Sequence, residues 1–383
     1  MRFRPLGALA LALPLVCPAC AWAPPPRLPA ATAPPPPALA QRIDELGHGF
    51  EGRVGIAVQD VSAGWVTAYD GDDMLPQQSV AKLWTALAVF DAADRGRLPL
   101  AQPLLVTRRD MSVFNQPIQK LLTDQGYRTT IDSLLVLALA HSDNAANDIL
   151  LKRVGGPGAV RRALEARRLW EVRASPPERI LESRIAAVRW KPNYSFGRAF
   201  WTARDAVPMD RRVRALDAYL KDPADGASPR GVTNALARLQ RGELLGPAAT
   251  AHFLDILAGT DTGPLRLPAG LAPGWRIAHK TGTGQDLGDL STGYNDVGLM
   301  TAPDGRVYAV AVMIASTRRA IPERQALMSA VAKAVVTMHD EEGGGPSLGA
   351  RAPVIQSPEP PRAGEAEPTK ESVLKAPAPA TPR

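Results

Sequence analysis

The sequence predicts an α+β fold: an antiparallel sheet of about five strands drawn from both ends of the chain, flanked by helices, with an all-helical subdomain alongside. Three observations carry this reading. Short apolar runs bounded by turn residues lie towards the two ends, and apolar residues at helical spacing fill the middle. The 37 prolines among 383 residues cluster mainly outside both patterns.

Each element has its own signal. Val54 to Val58 is apolar between Gly52 and Asp60, and Trp65 to Tyr69 follows a Ser-Ala-Gly turn, so two strands are expected there. Val80, Leu83, Trp84 and Leu87 fall on one helix face. So do Ile131, Leu134, Leu135 and Ala138, in a helix expected to end at His141, and later Val232, Ala235, Leu236 and Leu239. Trp275 to Ala278 reads as a strand, and Asn295 to Thr301 and Arg306 to Ala315 flank Asp304-Gly305, a hairpin signal. Leu327, Val331, Val335 and Met338 mark a closing helix.

The ends of the chain differ from its body. Arg2 and Arg4, the apolar run Leu6 to Val16 and the small-x-small step Ala21-Trp22-Ala23 read as an export signal over residues 1–23. An apolar run of about eleven residues is too short to span a bilayer, which takes roughly twenty. Both cysteines, Cys17 and Cys20, belong to this signal, so the mature chain is expected to lack a disulfide, a thiol nucleophile and a cysteine-based metal site. Lipid anchoring at Cys20 is disfavoured, because Cys17 stands where such signals usually carry Leu. Residues 24–39 read as a Pro-rich tether, residues 40–340 as one catalytic unit, and residues 341–383 as a disordered tail with few large apolar side chains. The expected location is periplasmic or secreted. The formal charge of +7 is dispersed, with no basic run interleaved with aromatics, which argues against nucleic-acid binding.

Three short motifs carry chemistry. Ser79-Val80-Ala81-Lys82 opens a helix, so the offset of three puts Lys82 one turn above Ser79 on the same face. The amine can then take the proton of a hydroxyl that is otherwise a weak nucleophile. Ser142-Asp143-Asn144 follows the next helix, and Lys280-Thr281-Gly282-Thr283 ends a strand, where Gly282 lets a substrate backbone approach and Lys280 supplies a cation. Each alone is weak; the ordered trio is specific.

With these motifs the chain resembles the class A β-lactamases and penicillin-binding proteins. Arg53 to Val58, Ser142 to Asn147 with Gly155-Gly156-Pro157, Pro264 through Gly284, and Asn295 to Gly298 extend the likeness over about residues 41–170 and 228–338. The resemblance implies a serine hydrolase of the β-lactamase/transpeptidase type, without cofactor or metal, expected to be a monomer and to act on a β-lactam or a peptidoglycan peptide. It implies that Ser79 attacks the amide carbonyl and Lys82 shuttles its proton. Ser142 protonates the leaving nitrogen, Asn144 binds the acylamide side chain, and Lys280 and Thr281 hold the substrate carboxylate. The N–H groups of Ser79 and Thr283 form the oxyanion hole. Asp143 and His141 are expected to be structural.

Two departures stand out. The resemblance calls for a glutamate that activates the deacylating water, on a loop before a Thr-Pro-like pair. Ser228-Pro229 resembles that pair but lies 86 residues beyond Ser142, so residues 170–227 form an enlarged insert. The best local match, Arg189 to Tyr194, has Lys191 at the glutamate's place; Glu171, Glu178 and Glu182 are the alternatives, and Glu182 is the expected base. Seven of the chain's twenty aromatics fall in this insert, which predicts an ordered lid. Tyr294, too, stands where many relatives carry an arginine for the substrate carboxylate, with Arg276, Arg318 and Arg319 as substitutes. With Lys191 at the glutamate's place in the best local match, two further readings are a D,D-peptidase and a sensor that is acylated without turnover.

Overall fold

The computed structural model describes residues 34–343, so the expected export signal, most of the segment read as a tether and nearly all of that read as a tail lie outside the described residues. The first half of the chain forms α1 (Pro37–His48), β1 (Arg53–Asp60), β2 (Val66–Tyr69), α2 (Lys82–Asp94), β3 (Pro103–Val106), β4 (Tyr127–Thr130), α3 (Ile131–Leu139), α4 (Asn144–Val154) and α5 (Pro157–Ala166). The second half forms α6 (Glu178–Ile185), α7 (Ala199–Asp205), α8 (Met209–Lys221), α9 (Pro229–Gln240), α10 (Pro247–Ala258), β5 (Arg276–Thr283), β6 (Asp286–Leu287), β7 (Leu290–Thr301), β8 (Val307–Thr317) and α11 (Ile321–Glu341).

The main sheet runs β2-β1-β8-β7-β5, all antiparallel, with short β6 paired to β7. β1 pairs directly with β8, so the two ends of the chain close one sheet (Ile56 opposite Val312). β8 shows how a two-sided strand reads in sequence. Tyr308, Val310, Val312 and Ile314 pack in one cluster with Leu39 and Ile43 of α1 and Leu327, Met328 and Val331 of α11. The intervening Ala309, Ala311, Met313 and Ala315 pack in the other with Val232 and Leu236 of α9. Alternate side chains of a strand face opposite sides, and the small ones let α9 lie close. The turn between β7 and β8 uses Gly305 at φ +91°, and Asp304 Oδ1 accepts from Arg306 N at 2.8 Å.

Helix α2 is buried from Lys82 to Ala92 and forms the axis of the helical body. Asp143 caps α4, accepting from Ala146 N at 2.8 Å and from Ile118 N at 2.6 Å, so it ties two loops together. Ser228 caps α9 through Gly231 N at 3.0 Å.

Three boundaries differ from the sequence reading. α1 begins at Pro37 inside the segment read as a tether, with Leu39 and Ile43 buried. Pro at a first helical position loses no intrahelical bond, so the proline run hid a helix start. α11 continues to Glu341, and α3 ends at Leu139 rather than at His141, whose Nδ1 pairs with Asp261 Oδ2 at 2.7 Å. Residues 170–227 are largely helical. α6 and α8 pack through Leu181, Ile185, Leu216 and Tyr219, while Phe200 of α7 is buried against Phe114, Trp190, Tyr194 and Trp201.

Candidate active site

Ser79 lies in a tight 3-10 turn, 78–81, that leads into α2, and Lys82 is the first residue of that helix. The nucleophile is therefore partly accessible while the amine is 1% exposed. Lys82 Nζ reaches Ser79 Oγ at 3.0 Å, Ser142 O at 2.7 Å, Ser142 Oγ at 3.3 Å and Asn144 Oδ1 at 2.6 Å. Burial pushes its pKa down, against the pull of Glu178, Asp143 and Asp148, so the neutral, basic form is favoured relative to a lysine in water.

Ser142 presents both oxygens to the amine because its backbone is left-handed, at φ +55°. Asn115 Nδ2 holds the Ser142 carbonyl at 3.0 Å. Lys280 Nζ donates to the same Ser142 Oγ at 3.0 Å and to Thr281 O at 3.0 Å. Burial, followed by repulsion from Lys82, holds the Lys280 pKa well below that of an ordinary lysine. Ser79, Lys82, Ser142 and Lys280, from three distant stretches, thus form one hydrogen-bonded line. Asn144 sits beside it with its carboxamide engaged, Oδ1 by Lys82 and Nδ2 by Val113 O at 2.8 Å.

The third motif lies on β5 against the nucleophile's turn. A Cβ at Gly282 would run into the Gln77 carbonyl oxygen and meet Val80, so only glycine lets the strand come this close. Asn295 Nδ2 of β7 staples the same turn, donating to Pro76 O at 2.8 Å and Gln77 O at 2.9 Å. Thr281 and Thr283 flank the glycine; Thr281 Oγ1 is 2.7 Å from Thr262 Oγ1.

Behind Thr283 stands a cation that the sequence reading missed. Arg266 is 1% exposed, donates to Thr283 Oγ1 at 2.8 Å and to Asn295 O at 2.7 Å, and stacks 3.9 Å from the Tyr294 ring centroid. The other candidates are spoken for elsewhere: Arg318 pairs with Asp289 at 3.1 Å and Arg319 with Glu51 at 2.6 Å. Arg276 begins β5, at the end of the strand remote from Thr283. The one hint in the sequence was Tyr294, whose ring offers a face on which a guanidinium from outside β7 stacks.

The carboxylate facing the amine is Glu178, not Glu182, which corrects the sequence reading. Glu178 Oε1 lies 3.6 Å from Lys82 Nζ and 3.4 Å from Asn147 Nδ2, at 3% exposure. Glu182, one turn on, accepts instead from Gln285 Nε2 at 2.6 Å. Lys191 is exposed, so the local match around it placed the loop wrongly. Asp148 of α4 positions Glu178: it accepts from Glu178 N at 2.6 Å and Ser112 Oγ at 2.8 Å, and pairs with Arg179 at 3.1 Å. Pro177 gives α6 no side-chain cap, so Asp148 caps it from another helix. Burial raises the Asp148 pKa to about 6 even beside Arg179.

Comparison with known proteins matches this arrangement to one family. The family model described as "Beta-lactamase enzyme family" matches residues 38–338. The chain is 25% identical to the extended-spectrum β-lactamase PER-1 of Pseudomonas aeruginosa, over 79% of this chain and 87% of that protein. It is 27% identical to a β-lactamase of Amycolatopsis lactamdurans, over 81% of this chain and 87% of the relative. Among solved structures, the class A β-lactamase reconstructed as the last common ancestor of Gram-negative bacteria superposes with a TM-score of 0.62 at 28% identity, covering 79% of this chain and 99% of that one.

Proposed function

We propose, from the premise that this chain belongs to the class A serine branch of the β-lactamase enzyme family, that it opens the β-lactam amide through a Ser79 acyl-enzyme and then hydrolyses that ester. The observation that carries the proposal is the Lys82 amine, shared between the Ser79 hydroxyl, the Ser142 hydroxyl and the Glu178 carboxylate.

In acylation the Ser79 hydroxyl attacks the lactam carbonyl and gives its proton to Lys82, whose burial favours the neutral amine. The Ser79 and Thr283 N–H groups receive the developing oxyanion, each such donor being worth about 2.7–4 kcal/mol. Ser142, within reach of both amines, passes a proton to the leaving nitrogen as the C–N bond breaks. The substrate carboxylate is held by Lys280, Thr281 and Thr283, with the Arg266 charge behind Thr283. Asn144 receives the acylamide side chain.

In deacylation Glu178 takes a proton from a water that attacks the ester carbonyl, and Ser79 leaves with a proton returned through Lys82. A carboxylate at this place favours turnover over the D,D-peptidase and sensor readings. The proposal includes export by residues 1–23 and a monomeric enzyme. Among the described residues no helix is long and apolar enough to cross a membrane.

The test is incubation with a chromogenic cephalosporin followed by intact-mass measurement. Steady colour release supports hydrolysis, and Ser79→Ala should abolish both colour and adduct. A single burst with a lasting adduct would favour the sensor reading, and labelling that survives in Ser79→Ala would refute the nucleophile.

A further inference from the structure

The insert carries a buried polar pair that the proposed mechanism leaves without a task. Asp225, in the turn after α8, is fully buried, and its Oδ2 accepts the backbone N–H of Gln78 at 2.7 Å. Its Oδ1 accepts from Tyr219 Oη at 2.9 Å, and Tyr219 Oη in turn accepts from Gln78 Nε2 at 2.7 Å. The Asp225 carbonyl also accepts from the Gln77 side chain. Backbone and side chain of Gln78 are therefore both gripped by two groups separated from it by more than 140 residues of sequence.

Gln78 needs such a grip. It precedes Ser79 and sits at φ +54°, a left-handed conformation that a residue with a Cβ adopts only when its surroundings enforce it. Its side chain lies over Gly293 of β7, where an added Cβ would fall 2.5 Å from Gln78 Cγ, and Gly293 O accepts from Gly284 N at 2.8 Å. Gln78, whose carbonyl carbon carries the Ser79 N–H, thus rests between Asp225 and Tyr219 on one side and the end of the β5–β7 ladder on the other.

We propose that Tyr219 and Asp225 are positioning residues of the oxyanion hole: they hold Gln78 left-handed and so aim the Ser79 amide at the substrate carbonyl. The proposal rests on the acyl-enzyme reading above, and gives part of the enlarged insert a role in that chemistry. An oxyanion donor acts in forming the ester and in breaking it, so loosening it slows both steps. Parallel loss in acylation and deacylation lowers kcat and leaves KM in place, whereas a lesion in the deacylating base lowers kcat and KM together.

The test is Tyr219→Phe in the full chain, assayed with the chromogenic cephalosporin. It removes one hydroxyl and keeps the ring among Leu181, Ile185 and Leu216. The expected result is a kcat lower by on the order of tenfold with KM unchanged, short of the 10²–10³ lost when a donor is deleted outright. The ester carbonyl band of the benzylpenicillin adduct, recorded by infrared difference on a Glu178→Gln background, should move to higher frequency. Asp225→Asn, a second variant of the same shape, should move both readouts in the same direction. A kcat that stays at the starting value, or kcat and KM falling together, or an unmoved band in Tyr219→Phe, overturns the positioning role alone. Absence of any adduct on the unmodified protein overturns the acyl-enzyme reading, and this role with it.

Discussion

Replacing Glu178 by Gln should turn a hydrolase into a trap, and the geometry around Lys82 decides which of the two steps is lost. At the observed 3.6 Å, a unit charge pair contributes about 5 kcal/mol at an effective dielectric constant of about 20. That attraction is the largest of those that oppose burial in setting the charge of Lys82, ahead of Asp143 and Asp148, so its removal drives the amine further towards the neutral form. Acylation, which needs a neutral amine 3.0 Å from Ser79 Oγ, is therefore preserved. Deacylation loses its base, a change of about 10²–10⁴ in rate. From a turnover on the order of 10 s⁻¹, the adduct then lasts from several seconds to about ten minutes. Stopped-flow mixing with a chromogenic cephalosporin should show a burst of one equivalent followed by slow release, with the adduct visible by intact mass. Glu182→Gln, whose amide keeps an acceptor for Gln285, should turn over without accumulating ester. Unchanged turnover in Glu178→Gln, or trapping in Glu182→Gln instead, would refute the assignment of the base.

Two more outcomes follow from the same site. Gly282→Ala drives a methyl against the Gln77 carbonyl oxygen, a backbone atom that cannot rotate away. Acylation should fall by at least tenfold while thermal unfolding reports a loss of about 1–3 kcal/mol; wild-type acylation would show that the strand has slack. For Asp148 the pH dependence has a definite sign. Its folded-state pKa of about 6 lies above an unfolded carboxyl near 3.9, so its contribution to stability is full below about pH 4 and lost as pH rises through about 6. The loss is about 3 kcal/mol, and Asp148→Asn should flatten the fall in unfolding free energy measured by denaturant between pH 4 and 7. Equal slopes in the two proteins would sink this.

Much of the fold could be read in advance because its determinants are local. The turn at Asp304-Gly305, the apolar stretch of β1 and the helical spacing in α2 and α9 each specify an element within a few residues. The three motifs were legible for a related reason: each is short, and each sits where an element starts or ends. Glu178 was not, because nothing in its own neighbourhood marks it. Its place is set by Asp148, thirty residues earlier on another helix, which supplies the cap that Pro177 cannot. Arg266 was hidden in the same way, since its partners Thr283, Asn295 and Tyr294 belong to two later strands. The start of α1 was masked by composition: prolines that read as an extended tether also make an acceptable first turn.

The pairing of β1 with β8 has a consequence for how the molecule comes into being. When the ribosome has delivered residue 300, the first strand has only β2 available as a sheet neighbour and still lacks the one that will cover its other edge, because β8 is yet to be synthesised. Contacts so distant along the chain are slow to form, since a long loop must close before any of them is rewarded. The polypeptide therefore spends its synthesis without a finished sheet. Residues 307–317 and the helix behind them act as a latch, set last, and a chain cut short before them would carry an open strand edge ready to pair with a neighbour.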